Sequence, residues 1–298
     1  MTLIESDISN PSGVADAYRG GSIDGVIHLA ASCLVGESMQ RPGLYYDNNV
    51  ARALRFLEEV AGRGVRRFIF SSTAAVYGDA VASGGEPIRE DHPCAPTNVY
   101  GETKLALERA LDWYCRRTPM RAIALRYFNA AGADPAGDIG EDHEPETHLI
   151  PLIFKAALGR LPHTQILGRD YPTPDGTCLR DYVHVSDLAE AHVLALRALD
   201  EGAPAAGLRP YNLGAERAHS VLEMVAAAGR VSGREIPTLD APRRPGDPPV
   251  LLALSDRARR ELGWSPSRSS LDQILATAWR WHSGHPDGYG NDARGSSK

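Results

Sequence analysis

The sequence predicts an α/β fold in which helices cover a parallel β-sheet, with a smaller unit contributed mainly by the second half of the chain. Two observations support this prediction. In the first half, short apolar segments alternate with longer segments of helical periodicity, an order typical of right-handed βαβ units. After Asn129, stretches rich in Gly, Asp and Pro separate the apolar segments, which indicates longer loops.

The first half contains three predicted strands and two predicted helices. Each strand is a continuous apolar run, as expected when both faces of a parallel sheet are covered. The first helix places Val50, Leu54 and Leu57 on one face, and the second does the same with Leu107 and Leu111. In chain order the predicted segments are the strand 26–30, the helix 48–61, the strand 68–70, the helix 100–114 and the strand 122–127.

The second half is predicted to be smaller and richer in loops. A long loop is expected at 130–145, and Pro- and Gly-rich stretches recur at 202–210 and 241–249. Loops of this length in compact domains are often functional. A final amphipathic helix is expected over 271–282.

Composition narrows the classes of function. The chain has 298 residues, enough for one large domain or two modest ones, and a formal net charge of −6, which argues against a nucleic-acid partner. Its apolar runs are far shorter than the roughly 18 residues of a membrane span. The four cysteines form no CxxC pair, so no metal centre is expected. Sparse cysteine also fits a reducing cytoplasm.

Tyr100 and Lys104 form the candidate catalytic pair. Their spacing of four residues puts both side chains on one face of the predicted helix. A tyrosine with a pKa near about 10 is a poor base at neutral pH. A neighbouring ammonium is expected to lower that pKa by favouring the phenolate. The pair could then accept a proton near neutral pH.

A cluster of hydroxyl side chains follows the predicted strand 68–70. Ser71, Ser72 and Thr73 come directly after its apolar residues. The carboxyl end of a parallel strand is where open α/β sheets bind ligands. The hydroxyl cluster and the Tyr100–Lys104 helix are therefore expected to face one site.

Motifs along almost the whole chain identify a family. On these residues the chain resembles the extended short-chain dehydrogenase/reductases and, within them, the UDP-glucose 4-epimerases. The last segment and the segment that begins at Asp170 are the most specific to the epimerases. The matching segments include Val26-Ile-His-Leu-Ala-Ala31, Tyr45-Tyr-Asp-Asn-Asn-Val50, Phe68-Ile-Phe-Ser-Ser-Thr73, Tyr100-Gly-Glu-Thr-Lys104, Leu125-Arg-Tyr-Phe-Asn129, Asp170-Tyr-Pro-Thr-Pro-Asp-Gly-Thr177, Arg180-Asp-Tyr-Val-His-Val185, Arg243-Arg-Pro-Gly-Asp247 and Trp279-Arg-Trp-His-Ser-Gly-His-Pro-Asp-Gly-Tyr289.

The resemblance implies a Rossmann-type sheet and two domains. An incomplete NAD-binding domain is expected at 1–129 and 182–216, and a UDP-sugar-binding domain at 130–181 and 217–298. The family opens with a Gly-rich turn that holds the NAD pyrophosphate, whereas this sequence opens on Leu3-Ile-Glu-Ser-Asp7, which resembles the third strand. The first two strands are therefore expected to be missing, through a start placed downstream of the true one or a real shortening.

The resemblance also implies an activity, a cofactor and a set of site residues. The expected reaction is NAD-dependent 4-epimerisation of a UDP-hexose through a 4-keto intermediate. Tyr100 would take the proton of the 4-hydroxyl, Lys104 would tune Tyr100, and Thr73 would hydrogen-bond the 4-oxygen. NAD contacts are expected from Asp7, Ile8, Leu29, Ala30, Ala31, Asn48, Ser71, Tyr100, Lys104 and Phe128. UDP-hexose contacts are expected from Thr73, Asn129, His148, Leu149, Gln165, Leu167, Arg180, Arg244, Asp247 and Leu251.

Substrate choice and partners follow from the same resemblance. In the family, the position of Leu251 lies beside the C2 substituent of the sugar, where a large aromatic residue excludes an N-acetyl group and a small residue admits it. Because Leu is intermediate in size, UDP-glucose and UDP-galactose are expected as the main pair, with weak N-acetyl activity. A cytoplasmic homodimer without nucleic-acid or membrane partners is expected.

Two alternatives remain open. A chain without its Gly-rich turn would bind NAD weakly and could be a non-catalytic sugar-nucleotide-binding protein. A UDP-sugar dehydratase or decarboxylase of the same fold is the other alternative. A dehydratase is expected to carry acidic residues beside Thr73, where this chain has Ala74 and Ala75.

Overall fold

The computed structural model describes residues 2–78, 86–204, 207–244 and 247–290. In this part of the chain the strands are β1 (Gly25–His28), β2 (Arg67–Thr73), β3 (Arg121–Tyr127), β4 (Asn129–Ala131), β5 (Thr164–Leu167), β6 (Leu179–His184), β7 (Leu208–Leu213), β8 (Ala218–Ser220), β9 (Thr238–Ala241) and β10 (Val250–Leu251). The α-helices are α1 (Pro11–Ala17), α2 (Val35–Gln40), α3 (Pro42–Tyr46), α4 (Ala53–Gly62), α5 (Val99–Arg117), α6 (Leu149–Ala157), α7 (Val185–Asp200), α8 (Val221–Ser232), α9 (Asp256–Leu262) and α10 (Leu271–Gly284).

A parallel sheet of four strands, in the order β1–β2–β3–β7, forms the centre of the molecule. Its two faces carry separate hydrophobic cores. Phe68 and Phe70 of β2 point to the side covered by α4 and α5, whereas Ile69 points to the side covered by α7 and α9. This alternation follows from the two-residue period of a strand. The predicted α/β fold with a covered parallel sheet is therefore confirmed.

The second unit is built from shorter elements. In one sheet β6 pairs with β4 and β10 in parallel and with β8 in the antiparallel sense, and a separate two-stranded sheet joins β5 to β9. Helices α6, α8 and α10 share a third hydrophobic core that includes Phe154, Met224 and Leu275. Residues 132–148, between β4 and α6, contain neither helix nor strand, which matches the long loop predicted there.

Two predicted elements differ from the structure. The helix predicted over 48–61 begins as a π-helical segment, Asp47–Arg52, and becomes α-helical only at Ala53. The segment Leu3–Asp7, which resembles a strand, forms none: residues 2–10 contain no strand. A strand persists through ladder hydrogen bonds to a neighbour, and β1 is the edge strand of the described sheet. Leu3 is consequently 88% exposed.

In the described part of the chain, no helix combines the length and the apolar character needed to cross a membrane.

Candidate active site

Side chains from neighbouring strands meet at the carboxyl edge of the central sheet. The parallel register pairs Thr73 at the end of β2 with Tyr127 at the end of β3, and β1 ends beside β2 at His28. Leu29, which follows β1, is 61% exposed at this edge. The structure thus places the predicted residues Leu29, Ser71 and Thr73 along one open rim at the carboxyl edge of the sheet.

Helix α5 brings the predicted catalytic pair to this rim. Its first turn is capped by Asn98, whose side chain accepts a hydrogen bond from Gly101 N at 2.8 Å. A Cβ atom at Gly101 would lie 2.5 Å from the carbonyl oxygen of Ala75, closer than real contacts allow. The glycine therefore permits the close approach of α5 to the turn Ala74–Tyr77, and it holds Tyr100 next to Thr73.

The electrostatics of Tyr100 differ from the expectation. Burial raises the pKa of Tyr100 to about 12, against a smaller lowering from a hydrogen bond with Thr73. The predicted lowering by Lys104 is wrong for this structure. The Lys104 ammonium lies 5.8 Å from the centroid of the Tyr100 ring and is directed at the Ser71 carbonyl instead. Among the described residues, the hydrogen bond with Thr73 is the contact that favours the phenolate of Tyr100.

Lys104 is a buried cation with unused donors. Its side chain is 4% exposed, its Nζ donates to Ser71 O at 2.8 Å and lies 5.0 Å from the Phe70 ring. Burial lowers the pKa of Lys104 to about 8. A lysine ammonium has three N–H donors, and among the described residues one of them has a hydrogen-bond partner. The remaining donors suit a ligand rich in hydroxyl oxygens.

An asparagine that the sequence analysis missed fixes the loop after β1. Asn49 is 3% exposed and exchanges hydrogen bonds with the backbone of Ser32, at 2.8 and 2.9 Å. Its amide also donates to Thr103 Oγ1 on α5, at 3.1 Å. The predicted cofactor residue Asn48 donates to Ser32 Oγ at 3.0 Å. The pair of asparagines in the segment Tyr45–Val50 was the signal available in the sequence.

A buried ion pair lies beneath the same rim. Arg126 of β3 and Glu108 of α5 are 5% and 3% exposed and form two hydrogen bonds, at 3.0 and 2.6 Å. Glu108 also accepts from Ser72 Oγ at 2.5 Å, and Arg126 donates to Tyr77 OH at 2.7 Å. This network was also missed. It ties the end of β2, between Ser71 and Thr73, to α5.

Two other predicted cofactor residues lie in separate surroundings. Asp7 is exposed, accepts hydrogen bonds from both the backbone and the hydroxyl of Ser9, and pairs with Arg52 at 2.7 Å. These hydrogen bonds lower the pKa of Asp7, with Ser9 the main cause. Phe128, by contrast, is 8% exposed and packs with Ala74 and Leu251 in a small core beside the rim.

A second group of predicted residues lines a narrow cavity in the smaller unit. Asn129, His148 and Leu149 share its wall with Tyr182, and its volume is about 60 Å³. The amide oxygen of Asn129 is buried and has no hydrogen-bond partner among the described residues. Because a buried polar atom without a partner is costly, this oxygen suits contact with a polar ligand.

A third group surrounds β6 and β10. The register pairs Leu251 with Arg180. The Arg180 guanidinium donates to Leu179 O and Pro248 O at 2.9 and 2.8 Å, and it lies 3.7 Å from Asp247. Arg244 is exposed, and its carbonyl oxygen accepts from Asp247 N at 3.3 Å. The structure therefore brings the predicted residue of β6, Arg180, together with the three predicted residues on or just before β10.

Two further predicted substrate residues, Gln165 and Leu167, lie on β5 and pair with Leu239 and Ala241 of β9. A neighbouring contact was missed: the Arg243 guanidinium stacks 4.2 Å from the centroid of the Tyr171 ring and pairs with Asp170. The Tyr171 hydroxyl is buried without a hydrogen-bond partner in the described residues, so it is another atom that a polar ligand could satisfy.

The donor set at the rim fits NAD. A buried ammonium with free donors, hydroxyls at the ends of β2 and an exposed apolar residue after β1 match a ligand that combines ribose hydroxyls with flat rings. The Gly-rich phosphate-binding turn is not among these residues. The fit therefore concerns the nicotinamide side of the cofactor, beside Tyr100 and Lys104.

Comparison with known proteins gives an independent result. The model of the NAD dependent epimerase/dehydratase family matches residues 1–214. A UDP-glucose 4-epimerase of Lacticaseibacillus casei is 46% identical over 96% of this chain and 85% of that protein. A crystal structure of a UDP-glucose 4-epimerase has a TM-score of 0.91 and 46% identity, covering 96% of this chain and 85% of that one.

A further structure, of a UDP-glucose 4-epimerase from Bifidobacterium longum in complex with NAD+ and UDP, has a TM-score of 0.87 and 38% identity, covering 96% of this chain and 84% of that one. The resemblance inferred from the motifs is confirmed by these relatives. The chain belongs to the NAD dependent epimerase/dehydratase family.

Proposed function

We propose that the protein is an NAD-dependent isomerase that inverts the configuration at C4 of a UDP-hexose, with UDP-glucose and UDP-galactose as the main pair. The observation that carries the proposal is the meeting of Tyr100, Thr73 and Lys104 at the carboxyl edge of the sheet. The names and bound ligands of the relatives, which include NAD+ and UDP, support the choice of cofactor and substrate.

Oxidation at C4 removes a proton from the 4-hydroxyl and a hydride from the carbon. NAD supplies the hydride acceptor and returns the hydride when it is bound. Tyr100 accepts the proton and gives it back, and Thr73, its hydrogen-bond partner, holds the 4-oxygen within reach. Lys104 holds ribose hydroxyls with its free donors. Because the 4-keto sugar turns over before the hydride returns, the net result is inversion at C4 with no change in oxidation state.

The UDP group provides the binding energy that positions the sugar. In this proposal Asn129, with its unpartnered oxygen, and the residues His148 and Leu149 contact UDP from the cavity. Arg180 and Arg244 hold the diphosphate, for which planar guanidinium groups are suited. Asp247 lies beside Arg180, and Gln165 and Leu167 are assigned to the uridine side.

In this proposal each of the two predicted domains binds one of the two ligands. Residues 1–129 and 182–216 are assigned to NAD, including Asp7, Ile8, Asn48 and Phe128. Residues 130–181 and 217–298 are assigned to the UDP-sugar. A cytoplasmic homodimer is part of the same proposal, and light scattering during gel filtration tests its oligomeric state.

The rival dehydratase activity is disfavoured by the residues that follow Thr73. Ala74 is 3% exposed within a small apolar core, and Ala75 packs against Gly101. Neither position offers a carboxyl group for the acid–base chemistry of water elimination.

The direct test of function is conversion of UDP-galactose to UDP-glucose by the NAD-loaded enzyme, followed through a coupled dehydrogenase that oxidises UDP-glucose. We expect conversion in both directions toward an equilibrium mixture. Release of water from the sugar would instead support the dehydratase. Binding of UDP without turnover, in protein that holds stoichiometric NAD, would support a sugar-nucleotide-binding role.

Substrate choice is tested at Leu251. This residue is half-buried beside Phe128, so its size limits the space near the sugar. Leu251→Ser is expected to raise activity on UDP-N-acetylglucosamine relative to UDP-glucose, because relief of overpacking is worth about 1–3 kcal/mol, or roughly 5- to 150-fold. Initial rates with each sugar give the ratio.

Leu251→Tyr is the matched control and is expected to shift the same ratio in the opposite direction. If both variants leave the ratio unchanged, or if the unmodified enzyme turns over both sugars equally, Leu251 does not govern the choice.

A further inference from the structure

Four side chains converge in the loop between β4 and α6. Glu141, His143, Glu146 and His148 each offer one ligand atom, and these atoms all lie within 4.8 Å of one another. Both histidines face the group with Nδ1. The four residues fall within a stretch of eight in the sequence, and none of them carries the proton chemistry at the rim.

The ligand atoms of the group lie close enough together to share one ion. Glu141 Oε1 lies 3.1 Å from Nδ1 of His143 and 2.8 Å from Nδ1 of His148. Glu146 lies 3.0 Å from His148 and 3.8 Å from His143. Ligand bonds of about 2.0–2.2 Å in a tetrahedral site separate neighbouring ligand atoms by roughly 3.4 Å. The observed separations bracket this value.

The burial of Glu146 and the geometry of His143 also favour a bound cation. The Glu146 side chain is 3% exposed, and its Oε1 accepts hydrogen bonds from Thr147 N and His148 N. These bonds leave the buried negative charge to be balanced by a positive group close by. The Nδ1 atom of His143 is buried, and its 3.1 Å approach to Glu141 lacks the alignment of a hydrogen bond. The histidine side chains themselves are 41% and 46% exposed, which leaves a path from solvent.

We propose that Glu141, His143, Glu146 and His148 bind one divalent transition-metal ion, for which Zn²⁺ is the best fit. Two imidazole nitrogens and two carboxylate oxygens form a donor set suited to Zn²⁺. Metal ligation requires both imidazoles to give up their protons, and the two carboxylates with two neutral imidazoles then carry a charge of −2, which a divalent ion neutralises. This site departs from the sequence analysis, which expected no metal because it considered only cysteine motifs.

The ion would act as a structural clamp on a long loop. Residues 132–148 have neither helix nor strand, and α6 begins at Leu149 without a side-chain cap from His148. Glu141 and His148 also line the cavity that contains Asn129. Fixing these residues would hold the cavity wall in place. The consequence for substrate rests on the proposed function, whereas the metal site itself does not.

Hydrogen bonds between protonated histidines and the carboxylates would give similar distances without any metal. The following experiment distinguishes such a hydrogen-bonded cluster from a metal site. The chain is stripped with a chelator and titrated with Zn²⁺ against a chromophoric competitor. We expect one equivalent to bind with micromolar or tighter affinity and to raise the melting temperature. Co²⁺ at the same site should give the intense visible bands of a tetrahedral complex.

Two variants test whether Zn²⁺ binds at these four residues. Glu146→Gln and His143→Ala each remove one ligand and are expected to weaken Zn²⁺ binding by about 10-fold or more. Glu144→Gln is the matched control, since Glu144 is an exposed residue of the same loop outside the group, and its Zn²⁺ affinity should equal that of the unmodified chain.

The proposal is overturned if the stripped, unmodified chain binds no stoichiometric Zn²⁺, a result that does not depend on the folding of any variant. It is also overturned if both ligand variants bind Zn²⁺ as tightly as the control. These readouts require neither NAD nor turnover, so failure of the metal site and failure of the proposed epimerase are distinguishable.

Discussion

Replacement of Tyr100 by phenylalanine is expected to lower turnover of the NAD-loaded enzyme by about 10²–10⁴-fold, the usual loss when a general base is removed. The change deletes one hydroxyl and keeps the ring. The proposed UDP contacts lie elsewhere, around Asn129, Arg180 and Arg244, so UDP affinity should stay the same. Steady-state rates with UDP-galactose and calorimetric titration with UDP measure the two effects separately.

Tyr114→Phe provides the control for this prediction. Tyr114 lies on the same helix, and its hydroxyl donates to Glu58, far from the carboxyl edge of the sheet. Its loss should leave turnover within about twofold, because surface changes away from special features rarely exceed about 0.5 kcal/mol. Near-normal turnover of Tyr100→Phe would assign proton transfer to another residue.

The fold was predictable because its signals are local. Alternating apolar segments and helical periods identified β1, β2, β3, α5 and α10 to within a few residues. Hydroxyls directly after an apolar run placed Ser71 and Thr73 at the end of β2. Each of these inferences needs only the period of a strand or a helix.

The pKa of Tyr100 was not predictable from the same signals. Spacing puts Lys104 on the same helical face, but the effect of its charge depends on distance and direction. In the structure the ammonium is directed at Ser71 O, and burial raises the pKa of Tyr100 to about 12. Burial depends on the whole packed rim, which the Tyr100–Lys104 motif alone does not specify.

Contacts between segments that are distant in the sequence were also not predictable. Asn49 contacts Thr103, 54 positions away, and no periodicity relates the two. Glu108 did leave a signal. It lies four residues after Lys104 on the buried face of α5, between Leu107 and Leu111, where a charge requires a partner. The sequence could indicate that requirement, but only the fold identifies Arg126 as the partner.

Loss of Arg126, the partner of Glu108, is expected to have the largest effect on stability. Arg126→Met leaves the Glu108 carboxylate buried without its counter-charge. Removal of one member of a buried ion pair typically destabilises a protein by about 3–5 kcal/mol. We expect a loss of this size in the free energy of unfolding, measured by urea denaturation with the native chain as the reference.

A surface pair on the same helix is the control. Arg116 and Asp112 are 2.8 Å apart, with side chains 60% and 32% exposed. Because solvent screens such pairs, Arg116→Met is expected to cost at most about 1 kcal/mol. The contrast between the two arginines isolates burial, since both are replaced by the same residue and both pair with a carboxylate of α5.

The double variant Glu108→Leu with Arg126→Met separates the cost of an unpaired charge from the value of the pair itself. Replacing both partners by apolar residues removes the stranded carboxylate, and buried pairs replaced in this way often lose little stability. The double variant should therefore be more stable than Arg126→Met alone, although Ser72 and the Tyr77 oxygen each lose a hydrogen-bond partner. Equal stability of the two variants would mean that packing around Arg126, and not the charge on Glu108, determines the loss.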